Sequence, residues 1–442
     1  MKTIDYDLVG VGIGPFNLSI AALAAPKSEL NTQFLERKPE FAWHPGLLLN
    51  HAKMQTSFLK DLVTAVDPTS PYSFLNYLVQ KQKFYPFTAR GDFMISRLEF
   101  SDYMAWVAKQ LPNTQFDAGV SDVRFEGDHF VIQSNGQTLT SKHLVVGTGT
   151  QPVVPDCAKD KLSDNCFHAH EMMQRKPDLR GKRVVIIGGG QTGADIFQHI
   201  FAGDFGKPRQ LDWVSRRANL EGLDESCFSD QFFMPDYVNQ FYHLDKAQQA
   251  REVSRQKLTS DGITDDCLST LYQSLYHDKY VLQNPKWWSI QPHQELVGLE
   301  TAGELNQLTL KHGITSNIKA LQADVVILCT GFKRVLAPCL ENIAEQLQLD
   351  ELGRPLLNED YAAFWKLPTD SKLFVVNSGT HNHGIIEPQL SLAAWRAATI
   401  LNSVSDKLLY NNTSSSNIMD WDLHSTSSSQ IVQNSNPLDI AS

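Results

Sequence analysis

Two glycine-rich stretches hold the residues whose types and spacing can do chemistry. The first is Tyr6-Asp7-Leu8-Val9-Gly10-Val11-Gly12-Ile13-Gly14-Pro15-Phe16-Asn17-Leu18, an apolar run that enters glycines and then a helical pattern. This is the strand–turn–helix signature of a dinucleotide-binding unit. Gly10 is expected to permit the tight turn, and Gly12 to let the backbone approach a pyrophosphate. The free N–H groups of the helix that follows would face that phosphate. After Gly14, Pro15 stands where a third glycine would be, which the first helical turn tolerates because its N–H is an orphan anyway. Glu36, closing Phe34-Leu35-Glu36, is placed to accept hydrogen bonds from a ribose. The second stretch is a complete GxGxxG, Gly188, Gly190 and Gly193, after the apolar run 184–187. Its next strand, Leu211-Asp212-Trp213-Val214, ends in Ser215-Arg216-Arg217 instead of an acid. An acid would bind a 2′-hydroxyl, whereas a guanidinium pair suits a 2′-phosphate. Two nucleotide units, the second with an arginine pair, imply FAD at the first and NADPH at the second.

The elements that must position these residues follow from composition and pattern. A chain of 442 residues allows two or three domains. Its formal net charge of −10 argues against nucleic acid or an anionic membrane as main partner. No apolar run reaches the length of a membrane span. Asp5 and Asp7 open a buried strand, so no signal peptide is expected. The six cysteines show no CxxC or zinc-like spacing, which fits free thiols in a reducing cytoplasm. Trp43 and His44 could lie against a flat cofactor ring; beside Pro45-Gly46, loop packing is the alternative. Ser134-Asn135-Gly136 marks a hairpin, and the strand over 144–146 ends in Gly147-Thr148-Gly149. Asp324–Leu328, followed by Thr330-Gly331, mirrors it.

The expected fold class is α/β, with two Rossmann-like dinucleotide-binding domains and a mostly helical substrate-binding insert. Residues 1–160 form the first part of the FAD domain, and 161–335 the NADPH domain with the insert at about 221–291. Residues 336–405 return to the FAD domain, and 406–442 form a polar tail expected to be disordered for much of its length. Trp421 is the residue to suspect if the tail packs.

The chain resembles the N-hydroxylating flavin monooxygenases of siderophore biosynthesis, the lysine N6-hydroxylase and ornithine N5-hydroxylase family. The matching segments are Gly-Val-Gly-Ile-Gly-Pro-Phe-Asn-Leu-Ser (10–19), Trp-His-Pro-Gly (43–46), Met-Gln-Thr-Ser-Phe-Leu-Lys-Asp-Leu-Val (54–63) and Pro-Thr-Ser-Pro-Tyr-Ser-Phe-Leu-Asn-Tyr-Leu (68–78). Gly-Gly-Gly-Gln-Thr-Gly-Ala-Asp (188–195), Thr-Ser-Asp-Gly-Ile-Thr (259–264) and His-Gly-Ile-Ile-Glu-Pro-Gln-Leu-Ser-Leu (383–392) also match. The resemblance implies that NADPH reduces FAD, that oxygen adds to the flavin, and that the C4a-hydroperoxide passes an oxygen to a neutral primary amine, with no metal. It places Gln55 at the flavin's reactive face and His383 and Gly384 on the cofactor. Lys60 would meet a substrate carboxylate, with Asp230, Ser260 and Ser391 near the substrate. Ornithine hydroxylases tend to carry asparagines where Asp230 and Ser260 align, which favours L-lysine over L-ornithine. A decarboxylated amine such as histamine, putrescine or cadaverine is the alternative. The other partner is molecular oxygen, and relatives that form tetramers suggest a homo-oligomer. A flavin disulfide reductase would need a redox CxxC, which is missing; a catalytically silent nucleotide-binding protein is the remaining class.

Overall fold

The computed structural model describes residues 4–50, 52–303, 305–413 and 418–423. Tyr6–Val11, the first strand, lies in a seven-stranded sheet, between Thr32–Leu35 and Gln137–Val146 and parallel to both. Its side chains alternate between two cores, as a period-two strand buried on both faces requires. Leu8 packs with Val145 and Phe374 under the helices Pro15–Ala24, Arg97–Ala108 and Ala393–Ser405. Val9 and Val11 face Leu144, Val146, Leu340 and Ile343 on the other side. His129–Ser134 and Gln137–Val146 are joined by Asn135 (φ 46°) and Gly136 (φ 78°), the left-handed pair that a two-residue hairpin needs. The returning strand Leu373–Val375 pairs in parallel with Leu144–Val146.

The second sheet is wholly parallel, in the order Trp288–Gln291, Gln210–Val214, Arg183–Ile187, Val325–Leu328, Cys166–His168. Gln191–Ala202 and Asp265–Tyr276 cover one face, burying Phe197, Ile200 and Leu271 with Trp213. An antiparallel meander, Gln294–Ala302, Leu305–His312 and Ile318–Ala323, covers the other with Leu296, Leu299, Leu308 and Leu310. This meander is not among the elements expected from the sequence. The helical insert expected over about 221–291 ends short of that bound, a correction at its C-terminal end. Trp288–Gln291 is the edge strand of this sheet, in register with Leu211–Val214. Trp287 and Trp288 hide its strand pattern: Trp287 stacks on Phe201 at 5.0 Å, so consecutive apolar residues are buried in different ways. The insert's helices between 229 and 260 lie outside both sheets. They pack on the returning segment, where Tyr242 meets His383 at 5.6 Å and Val238 joins Ile386 and Leu392.

The chain crosses between the sheets twice. Gln151–Pro152 and Phe332–Lys333 pair antiparallel there, and Val153 N donates to Gly331 O at 2.9 Å. Among the described residues, no helix is long and apolar enough to cross a membrane.

Within the polar tail expected over 406–442, isolated aromatic residues pack where the structure describes it. The Tyr410 hydroxyl donates to Leu23 O at 2.6 Å, and Lys27 Nζ lies 4.1 Å above the ring. Trp421 stacks on Phe232 (5.0 Å) and meets Tyr237 edge-on (4.8 Å), with Leu423 N donating to Gln240. Composition hides such isolated anchors, because one aromatic among Ser and Asn does not change an average. Residues 414–417 and 424–442 of the tail lie outside the described residues. Trp421→Ala should destabilise the protein by about 1–2 kcal/mol, the scale of an aromatic cluster that loses one ring. Ile418→Ala, 86% exposed, should leave the thermal midpoint unchanged.

Candidate active site: two glycine cradles and the cleft between them

In the first cradle the chain turns at Gly12, not Gly10. Gly12 has φ +86°, and a Cβ there would lie 2.7 Å from the carbonyl oxygen of Gly147. Gly10 is inside the strand, where its missing side chain makes room for Phe34; a Cβ would sit 2.1 Å from that ring. The roles expected of these two glycines are therefore corrected: Gly12 makes the turn and Gly10 serves packing. Gly14 caps the helix starting at Pro15, whose first N–H groups have no side-chain cap. The Asn17 amide holds the loop by donating to Val11 O (3.1 Å) and Gly12 O (2.7 Å). Glu36 accepts from Ile13 N (2.9 Å) and Lys38 N (3.1 Å), which leaves its half-buried carboxylate beside the turn. Room at Gly14, where a Cβ would meet only Gly147 O at 3.8 Å, uncapped N–H groups and this acid together fit a dinucleotide.

The second cradle repeats the plan. Gly188 has φ +125°, with the Cys329 carbonyl oxygen 2.1 Å from where a Cβ would be. Gly193 brings the helix onto the strand, since a Cβ there would lie 2.2 Å from Gly188 O. Gly190 caps the helix Gln191–Ala202. Ser215 is buried against Gly189 and accepts from Arg217 N at 3.1 Å, so it shapes the cradle from behind. Arg216 is exposed. Arg217 is mostly buried, its guanidinium 3.0 Å from Asp261 and 3.6 Å from Glu221. One of its terminal nitrogens, Nη1, is buried without a hydrogen-bond partner. That Nη1 is the atom 3.6 Å from Glu221 Oε2, an ion pair without a hydrogen bond, and a buried guanidinium with such spare capacity beside a glycine cradle fits a phosphate oxygen.

The two units touch closely. A Cβ on Gly46 would lie 1.6 Å from His170 O, so the loop after Trp43 and His44 presses on the second unit. His44, although exposed, faces Phe332 at 6.1 Å, and desolvation and then the charge of Arg97 push its imidazole down. Trp43 is engaged by the Arg97 guanidinium (5.0 Å) and by Phe100 (6.2 Å), the packing alternative for this ring. Sequence reasoning missed Arg97. It is a partly buried cation between the units, and it opposes the upward push of burial on the Asp195 carboxyl. No local motif announces it.

Gln55 stands exposed in the loop that leads to Lys60. Lys60 Nζ lies 3.3 Å from Asp230 Oδ2, so two residues 170 positions apart meet between the first unit and the helices over 229–260. Asp61, also unremarked in the sequence, pins this loop. Its buried carboxylate accepts from Val63 N (2.9 Å), Thr64 N (2.7 Å), Thr64 Oγ1 (2.7 Å) and Phe74 N (2.6 Å). Ser391 is half-buried just before the helix Ala393–Ser405, on the segment where Leu392 packs against Val238. Ser260 lies elsewhere, one residue before Asp261 and therefore beside the second cradle.

His383 and Gly384 require correction as cofactor contacts. The His383 ring is 1% exposed and stacked on Tyr361 at 4.0 Å, and burial pushes its imidazole down to about 3. Gly384 is buried against Phe241. Neither has a face open to a ligand. The helix Pro235–Tyr242 covers the segment that the resemblance places on the cofactor.

This arrangement can hold two nucleotides and present a cation–carboxylate pair to a small molecule between them. The family of L-lysine 6-monooxygenases and L-ornithine 5-monooxygenases matches residues 5–334. The chain belongs to that family. It is 41% identical to the L-lysine N6-monooxygenase of Escherichia coli over 422 residues, covering 95% of this chain and 99% of that one. It is also similar to the FAD-bound cadaverine monooxygenase of the desferrioxamine pathway of Erwinia amylovora, with TM-score 0.89 and 28% identity, covering 97% of this chain and 100% of the other. The ornithine N-hydroxylase of Kutzneria sp. 744, with reduced FAD, NADP+ and L-ornithine, superposes with TM-score 0.84 at 27% identity, covering 91% and 99%. The protein is a siderophore-related flavin N-monooxygenase, and FAD and NADPH are its cofactors.

Gly12→Val should purify without flavin, because the side chain meets both a left-handed φ and the Gly147 carbonyl. The flavin-to-protein ratio checks this, and a wild-type ratio would refute the first cradle as the FAD site.

Proposed function

We propose that this enzyme N-hydroxylates the side-chain amine of L-lysine, with L-ornithine as second choice, for a hydroxamate-type siderophore. FAD lies at the first cradle and NADPH at the second. The observation that carries the substrate is the Lys60–Asp230 pair. An α-amino acid presents a carboxylate and an ammonium on one carbon, and a lysine beside an aspartate is complementary to both. Lys60 takes the carboxylate, and Asp230 the ammonium. A diamine such as cadaverine or putrescine, or the amine histamine, offers Lys60 no anion and brings another cation next to it.

The pair is half open to water, with side chains 29% and 53% exposed. An ion pair in that setting holds by about 1 kcal/mol or less, so substrate can exchange into it. Asp61 keeps the Lys60 loop still, which fixes the distance from the held end of the substrate to its reacting amine. Bound flavin, reduced by NADPH, supplies the activated oxygen. The chain's task is to hold the amine nitrogen near it in neutral form and to exclude water. Gln55, on the rim of the same loop, is assigned to the reacting end, and Ser391 to the substrate wall. The helices over 229–260, packed on the returning segment, form one side of that enclosure. Residence in the cytoplasm and assembly into a homo-oligomer belong to the same reading.

A panel of amines, assayed for hydroxylamine product alongside NADPH oxidation, tests the substrate. Lys60→Ala should raise the KM for L-lysine by about tenfold to a hundredfold, the value of a desolvated charge-assisted contact. NADPH-dependent flavin reduction without amine should stay at the wild-type rate. A wild-type enzyme that hydroxylates cadaverine, putrescine or histamine and ignores L-lysine would refute the carboxylate argument.

A further inference from the structure

The segment 257–264 crosses the mouth of the second cradle. Its turn Lys257–Ser260 ends at Asp261, and Thr264 N donates to Gln191 Oε1 (2.9 Å) on the first residue of the cradle helix. Ile263 N donates to Glu221 O, and Leu223 N to Ile263 O, which ties the segment to the stretch just after Arg217. One Asp261 carboxylate oxygen lies 3.0 Å from Arg217 Nη2, and its backbone carbonyl accepts from the same nitrogen at 3.1 Å. The other carboxylate oxygen stands 3.9 Å from where a Cβ on Gly190 would be, at the cap of the helix Gln191–Ala202. A carboxylate thus lies between the two anion-binding features of this unit, the helix N-terminus and the guanidinium.

The charges make this costly for a phosphorylated ligand. Arg217 is flanked by Asp261 and, at 3.6 Å, Glu221. A 2′-phosphate brings a charge of about −2 to a guanidinium that already has two carboxylates beside it. The ligand can bind Arg217 fully only by displacing one of them. Asp261, with 58% of its side chain exposed, is the one free to turn into water, since Glu221 is more enclosed.

We propose that Asp261 is a specificity-determining residue of the nicotinamide-cofactor site, holding Arg217 in an ion pair that a 2′-phosphate must displace. The inference rests on the reading of this unit as the NADPH site. It means that the arginine pair discriminates less sharply between NADPH and NADH than its two charges alone would. A cofactor without the 2′-phosphate leaves the Arg217–Asp261 pair in place and meets the Asp261 charge only at the helix cap, so it depends less on Asp261.

The experiment uses the FAD-loaded full chain with Asp261→Asn, Arg217→Ala and the double variant, titrated calorimetrically with adenosine 2′,5′-bisphosphate and with adenosine 5′-diphosphate. Asp261→Asn should tighten the 2′,5′-bisphosphate by about two- to fivefold, the release of one exposed ion pair, and tighten the 5′-diphosphate by a smaller factor. The KM for NADPH should fall by a similar factor, and that for NADH by less. In the Arg217→Ala background, Asp261→Asn should have no such effect. Unchanged or weaker 2′,5′-bisphosphate binding in Asp261→Asn overturns the proposal. If Arg217→Ala alone abolishes the preference for the 2′-phosphate while Asp261→Asn does nothing, only the role of Asp261 falls. If Arg217→Ala leaves that preference intact, the assignment of this unit to the phosphorylated cofactor falls with it.

Discussion

One close approach, made twice, organises the molecule. Gly12 turns with a positive φ against the carbonyl of Gly147, and Gly188 does so against that of Cys329. In each case the carbonyl ends a strand parallel to the one that carries the glycine, Gln137–Val146 in the first sheet and Val325–Leu328 in the second. A side chain at either position would push the turn off its neighbour and misdirect the helix that follows. Both cradles depend on that direction, because their anion-binding power lies in the N–H groups of the first helical turn.

The cleft depends on how firmly the two units are joined. The crossing strands at Gln151–Pro152 and Phe332–Lys333 are paired, so the links act as one ribbon. The loop at Gly46 lies so near His170 that any side chain would part the units. Arg97 adds a partly buried cation whose field reaches Asp195 across the gap. Polar groups of this kind gain strength from the low local dielectric, but only while the gap stays closed to water. The returning segment completes the enclosure: its fully buried Glu387–Arg396 pair, at 3.7 Å, sets Arg396 4.7 Å from the Phe16 ring, just past the first cradle.

Two cations in the cleft share a feature. Lys60 is held by Asp230 and Arg217 by Asp261, each across a fold boundary and each with a half-exposed acid. Such pairs hold long side chains in place at small cost and can be exchanged for an anionic group on a ligand. Binding groups are kept oriented without being committed.

The sequence by itself determined both dinucleotide units, their order, and the loops that carry Lys60 and the arginine pair. These are local features: a strand, a glycine turn and a helix start lie within about fifteen residues of one another. The hairpin at Asn135-Gly136 was legible for the same reason. Tertiary structure decided everything that pairs residues distant in the chain. It alone placed Asp230 on Lys60 and Asp261 on Arg217, and it buried His383 and Gly384 instead of opening them to a cofactor. It made Trp288–Gln291 a sheet edge and fastened Trp421 to Phe232. A motif records what the backbone needs locally; which charges meet and which rings are covered depends on packing between segments whose separation in the chain gives no sign of it.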